Sequence, residues 1–205
     1  MEVMTAQRVD KREALYSLIS FNYDMVLENV CQYVNESFRS VQRIKLSAEL
    51  SNSPNDYLNP RLIKIHGDVE GQVLPPTYNK GLFQVDLPKA WKDAHDLLMR
   101  ANHIRIIGYS LPQTDAYVKF LLKAAIGGNR DLDKIDWISL DDEKKSLESR
   151  FEEFVTFKDR RFKSGLAQSY LGNVLGWVVN KPLSANDSLV FTALEEAHED
   201  FMQRK

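Results

Sequence analysis

The chain has 205 residues, 43% hydrophobic and 27% charged, an ordinary globular composition that sustains one domain with its own core. Twenty-seven Lys and Arg stand against 29 Asp and Glu, a net charge of −2 that argues against a general electrostatic grip on nucleic acid or an anionic membrane. The single cysteine, Cys31, excludes an internal disulfide and a zinc site built from several cysteines, and no apolar run approaches the ~20 residues that span a bilayer.

In chain order, Ala6 to Tyr16 reads as a helix. Leu18-Ile19-Ser20-Phe21 follows as the first of four short, apolar, β-rich runs that favour strands. Met25 to Phe38 carries Val26, Val30, Tyr33, Val34 and Phe38 on one side of a helix, with Asp24 as its N-cap. Ser51 to Pro60 reads as a loop, Leu62-Ile63-Lys64-Ile65 as the second strand, and Gly67 to Asp86 as a second long loop. Pro88 to Ala101 is an amphipathic helix with Pro88 in its first turn. Ile104 to Ile107 is the third strand, and Tyr117 to Ile126 a helix closed by Gly127-Gly128. Ile135 to Leu140 is the fourth strand, and Asp142 to Phe154 a helix with acidic residues at its positive end. Beyond Lys158 the pattern becomes helical, with Gly165 to Trp177 and Ser188 to Met202. Strands alternating with helices imply an α/β fold with a mostly parallel sheet, flanking helices and a C-terminal helical pair. The expected division is a domain over 1–157 and a helical extension over 158–205 packed on it.

In an open parallel sheet, ligands bind in the crevice beyond the carboxyl ends of the strands. The first run ends in Asn22-Tyr23-Asp24, the second in His66-Gly67-Asp68, the third in Gly108-Tyr109-Ser110, and the fourth in Asp141-Asp142. Singly, these are turn and cap residues: Asn22 and Asp24 suit a strand-to-helix junction, and Asp115 suits the cap of the next helix. Jointly, four caps do not require a histidine and an amide aimed at one crevice.

Three of these segments resemble ordered motifs of sirtuin-like domains: Phe21-Asn22-Tyr23-Asp24, Lys64-Ile65-His66-Gly67-Asp68, and Ile107-Gly108-Tyr109-Ser110-Leu111-Pro112-Gln113-Thr114-Asp115. They are similar to bacterial sirtuin-like proteins of anti-phage systems rather than to protein deacetylases, over roughly residues 15–145. The resemblance implies a Rossmann-like sheet that binds NAD, as substrate, and cleaves its N-glycosidic bond. Asn22 is then expected to hold the nicotinamide-side ribose or the attacking water, and His66 to act as general base. Asp24 is expected to fix that amide or contact the nicotinamide carboxamide. Gly108 and Ser110 would lie against the adenosine ribose or the phosphates, with Asp115 and Asp141 as further cofactor-binding residues. An imidazole with an ordinary pKa near 6.5 accepts a proton at neutral pH. An amide bonds both ribose and water without adding charge.

Two departures matter. Deacetylating sirtuins usually carry a four-cysteine zinc module, so one cysteine implies no zinc, no metal ligands and no deacetylation. A dinucleotide-binding domain also opens with a strand, a glycine-rich turn and a helix. Here the first glycine is Gly67, so the first βα unit is expected to be missing, leaving a second chain or an upstream segment to complete the site. The alternatives are a catalytically inactive interaction module and a metal-dependent phosphoesterase built on His66, Asp68 and Asp24. Met1-Glu2-Val3-Met4-Thr5 lacks a signal-peptide core, so a cytoplasmic protein is expected, and an oligomer is left open.

Overall fold

The computed structural model describes residues 2–10, 13–37, 61–71, 73, 87–112, 115–140, 146–154, 157, 159–179 and 187–204. The elements are β1 (Glu2–Asp10), β2 (Glu13–Ser20), α1 (Val26–Ser37), β3 (Arg61–Lys64), α2 (Leu87–Arg100), β4 (His103–Ile107), α3 (Ala116–Gly128), β5 (Lys134–Ser139), α4 (Ser146–Phe154), β6 (Arg160–Ser164), α5 (Ala167–Val179) and α6 (Asp187–Gln203). The strands form one six-stranded sheet in the order β3-β2-β1-β4-β5-β6. The pairs β2–β3, β4–β5 and β5–β6 are parallel, whereas β1 is antiparallel to both β2 and β4. Five strands therefore run one way, and β1 alone is reversed between them. One row crosses the whole sheet through Lys64, Ser20, Glu2, Ile107, Ile138 and Lys163. It marks the carboxyl ends of the five codirectional strands.

Side-chain alternation assigns the two faces. Ile104, Ile106, Ile135 and Trp137 pack with Ala94 and Leu98 of α2, Val118, Leu121 and Leu122 of α3, and Leu147 and Phe151 of α4. Ile107 and Ile138 face the other way, beneath Tyr170 and Val174 of α5 and Ala197 and Phe201 of α6. The fold is α/β and Rossmann-like, with a mostly parallel sheet, flanking helices and a C-terminal helical pair. No described helix is long and apolar enough to cross a membrane.

Several local expectations are corrected. Ala6 to Tyr16 is not a helix but parts of β1 and β2, paired from Glu2↔Ser20 to Asp10↔Glu13. Propensity is a weak prior, and a segment that can ladder to a neighbour on each side gains more than an isolated helix would. Residues 160–164 are a strand, so the sheet continues into the part of the chain expected to be helical. Its Arg160, Arg161 and Lys163 hid it, yet charge is what an edge strand carries. Gly127-Gly128 does not cap α3; Asn129 does, its N–H donating to the Ala125 carbonyl at 3.0 Å. Gly128 instead admits Met99, whose Sδ would lie 3.0 Å from any added Cβ. On α1, Val26, Val30 and Tyr33 keep the expected helical spacing but are exposed. The loop expected over 51–60, most of that over 67–86, Phe38, Asp141 and Asp142 lie outside the described residues.

Candidate active site at the carboxyl edge of the sheet

Ser20 and Lys64 are register partners at the ends of parallel β2 and β3. Asn22 and His66 each lie two residues beyond that pair, past the ends of strands spaced roughly 4.8 Å apart. The two exits are tied together. Ile65 N–H donates to the Ser20 carbonyl at 3.3 Å and Val69 N–H to the Tyr23 carbonyl at 3.0 Å. Lys64 Nζ reaches Glu28 at 2.7 Å and also donates to the Asp24 carbonyl, pinning the start of α1. Gly67 has φ of 74°, a left-handed turn that favours glycine directly after the histidine.

His66 is 2% exposed. The rings of Tyr23, Trp91 and Phe21 lie 5.9, 6.1 and 6.4 Å from its own. Trp91 is fixed by its indole N–H, which donates to the Ile65 carbonyl at 2.9 Å. The His66 Nε2 faces Asp115 Oδ2 at 3.5 Å, and its Nδ1 is buried with no hydrogen-bond partner among the described residues.

The third strand exit joins from across β1. Gly108, with φ of 71°, donates its N–H to the Ile138 carbonyl at 2.7 Å. Tyr109 then turns inward, its ring 4.8 Å from Phe21 and stacked on Trp137. Its hydroxyl donates to Asp115 Oδ2 at 3.2 Å. Burial pushes that hydroxyl's pKa well up, and the charge on Asp115 pushes it further. Burial and then Asp115 also raise Tyr23. Leu111, buried, takes φ of 51°, a strained conformation for a leucine.

The expected site residues therefore separate. Asn22, His66, Gly108 and Asp115 belong to segments leaving one edge, and His66 and Asp115 meet. Asn22 donates its backbone N–H to Ser20 Oγ at 3.2 Å. Asp24 is exposed and accepts the Val26 N–H at 3.1 Å, as the expected cap. Ser110 is exposed, and Asp141 lies outside the described residues. Asp115 is 3% exposed and accepts the Val118 N–H at the start of α3. Asp68 Oδ1 is engaged by the N–H groups of Glu70 and Gly71 at 3.0 and 2.8 Å, so it makes a turn. Among the described residues, Asp24, Asp68 and His66 do not form a cluster of metal-ligating atoms. Sequence reasoning places Tyr109 at the third strand end without giving it a role, and reads Trp91 only as part of the apolar face of a helix.

A second polar cluster lies on the opposite face, beneath α5 and α6. Ligand atoms of His103, Asp136 and His198 fall within 4.8 Å of one another, the one such group among the described residues. Asp136 Oδ2 lies 2.6 Å from His103 Nε2, 2.7 Å from His198 Nε2 and 2.6 Å from Arg161, which also donates to Oδ1 at 2.7 Å. His198 Nδ1 lies 3.0 Å from the Tyr170 hydroxyl, and His103 Nδ1 lies 3.5 Å from Arg105. Glu195 holds Arg105 at 2.6 Å, and Glu199 holds Arg161 and Lys134 at 2.7 and 2.8 Å. Burial alone would raise the Asp136 carboxyl, but hydrogen bonds from Arg161, His103 and His198 hold it far below the usual range. Burial lowers His103, and it takes His198 down to about 4, against the pull of Asp136. Both imidazoles are thus neutral donors to one carboxylate. Three carboxylates face three cations, so the charges of the cluster balance as it stands. The one cue in the sequence was Asp136 inside an apolar strand.

No family model, no curated protein and no solved structure matches this chain.

Proposed function

We propose that the carboxyl edge binds NAD and cleaves its N-glycosidic bond, releasing nicotinamide. The observation that carries this reading is a buried histidine nitrogen with no described partner, on a residue that, like Asn22, follows the Ser20–Lys64 register pair by two positions. In this reaction the bond between ribose C1′ and the nicotinamide nitrogen breaks, and neutral nicotinamide leaves with the electron pair. Water adds to C1′, and its proton passes to His66. Asn22 holds the ribose or that water, and the Phe21, Tyr23 and Trp91 rings keep bulk solvent from the base. The setting is the cytoplasm, and the reaction consumes NAD.

A second reading, a binding module without catalysis, is favoured by the reversed β1. The strand order is that of a dinucleotide-binding sheet. Yet the central position, where the phosphate-binding turn would follow a parallel strand, holds a strand running the other way. Asp24 and Asp115 also set carboxylates at the starts of α1 and α3, where a helix would otherwise receive phosphate. The pyrophosphate then needs other donors, from a second chain or another segment.

Chromatographic measurement of nicotinamide release separates the readings. His66→Ala is expected to lower release by about 10²–10⁴-fold, the usual loss for a positioned base. Asn22→Ala is expected to lose about 10²-fold through misplacement of ribose or water. No release, together with no heat of NAD binding in calorimetry, favours the module.

A further inference from the structure

We propose that Asp115 is a positioning residue that fixes His66 as the Nε2–H tautomer, making Nδ1 the nitrogen that takes the proton. The chemistry of that proton rests on the NAD-cleaving reading; the tautomer does not.

Asp115 is held at both oxygens: Oδ1 accepts the Val118 N–H at 3.4 Å, and Oδ2 accepts the Tyr109 hydroxyl at 3.2 Å. Tyr109 is itself fixed, stacked on Trp137, while the Trp137 indole N–H donates to the Tyr109 carbonyl at 2.9 Å. The carboxylate therefore cannot turn away from His66, whose Nε2 lies 3.5 Å from Oδ2. Side-chain exposures of 3% and 4% leave the pair shielded from water.

A neutral imidazole has one N–H and one lone pair, whereas an ionised carboxylate only accepts. Facing Asp115, Nε2 must carry the hydrogen. The lone pair is then on Nδ1, the atom with no described partner. A buried acceptor left open is a standing cost to the fold, so it calls for a ligand or a reaction. When water adds to C1′, the O–H bond breaks, its electron pair forms the new C–O bond, and the proton binds Nδ1. The imidazolium so formed keeps its Nε2–H on Asp115, and its new Nδ1–H donates to the hydroxyl just formed on C1′. A mere cap of α3 would do none of this.

Nitrogen-15 NMR of the histidine side chains tests it without any substrate, with His66 assigned by its loss in His66→Gln. Near neutral pH the wild-type chain is expected to show His66 as the Nε2–H tautomer. Asp115→Asn keeps an N-cap residue, so α3 is retained. Its His66 is expected to show a mixture of tautomers, and nicotinamide release is expected to fall about 10²-fold. In a His66→Ala background the same substitution is expected to add nothing, which a general structural loss would not reproduce. An Nδ1–H tautomer in the wild-type chain overturns the proposal, as does a tautomer that Asp115→Asn leaves unchanged. The expected tautomers without nicotinamide release would sink the NAD reading and leave the positioning role standing.

Discussion

His66 and His198 are both buried, at 2% and 0% exposure, yet they stand in opposite conditions. His198 has a described partner at each ring nitrogen and sits in a network whose charges balance. His66 has one long contact to Asp115 and one nitrogen without a described partner, amid aromatic rings. Burial by itself therefore says little about role. The paired histidine on the α5–α6 face acts as architecture, although Arg105 Nε in the same cluster is also buried without a described partner, whereas the open nitrogen of His66 at the strand ends keeps capacity for a ligand. Polar pairing, more than exposure, separates these two histidines.

The contrast breaks most sharply at Asp136. Asp136→Ala removes the acceptor that Arg161, His103 and His198 share and is expected to cost about 3–5 kcal/mol, or roughly 6–20 °C in melting temperature. Calorimetry or thermal scanning measures it, and a loss under about 1 kcal/mol would end the architectural reading.

Acid attacks the same cluster. His198 stays neutral in the fold down to about pH 4, whereas in the unfolded chain it protonates near pH 6.5. Between those values the unfolded state binds the extra proton. Stability is thus fully present above about pH 6.5 and falls as pH drops toward 4, by on the order of 3 kcal/mol. Urea titrations across that window should show the slope, and His198→Gln should flatten it. Glu199, held down to about 2 by Arg161, adds a smaller loss below its ordinary range.

His66→Gln sharpens the comparison from the other side. It removes one long contact to Asp115 and keeps the bulk, so denaturant titration should find only roughly 0.5–1.5 kcal/mol. A loss as large as that of Asp136→Ala would make His66 structural too. The smallest effect belongs to His95, whose side chain is 40% exposed. Its replacement by alanine should stay within about 0.5 kcal/mol in the same assay.

Much of this could be read from the chain. β3, β4 and β5 are short apolar runs ended by Gly or Asp, and the rule of carboxyl strand ends pointed to Asn22 and His66. What escaped depends on partners distant in sequence. β1 is built partly of good helix formers, and its strand state comes from β2 and β4 on either side. β6 is an edge strand, whose charge resembles that of a loop. Asp115 read as a cap, which it is, but its contact with His66 requires β3 and α3 to be in place. Likewise Asp136 advertised a need for partners, yet one of them, His198, lies 62 residues further on.

The reversed β1 has a consequence for how the molecule assembles. Without it, the hydrogen-bonded sheet is two sheets, β3-β2 and β4-β5-β6. The β1–β2 hairpin is local and closes within about 1–10 μs, but its other edge must wait for β4, whose Ile107 pairs with Glu2 from the far side of the intervening chain. Until that seam closes, two strand edges stand open side by side, each ready to accept an extended segment. A crowded ribosome or a concentrated sample would then offer β1 of a neighbouring copy as readily as its own, so strand exchange is the misassembly this topology invites.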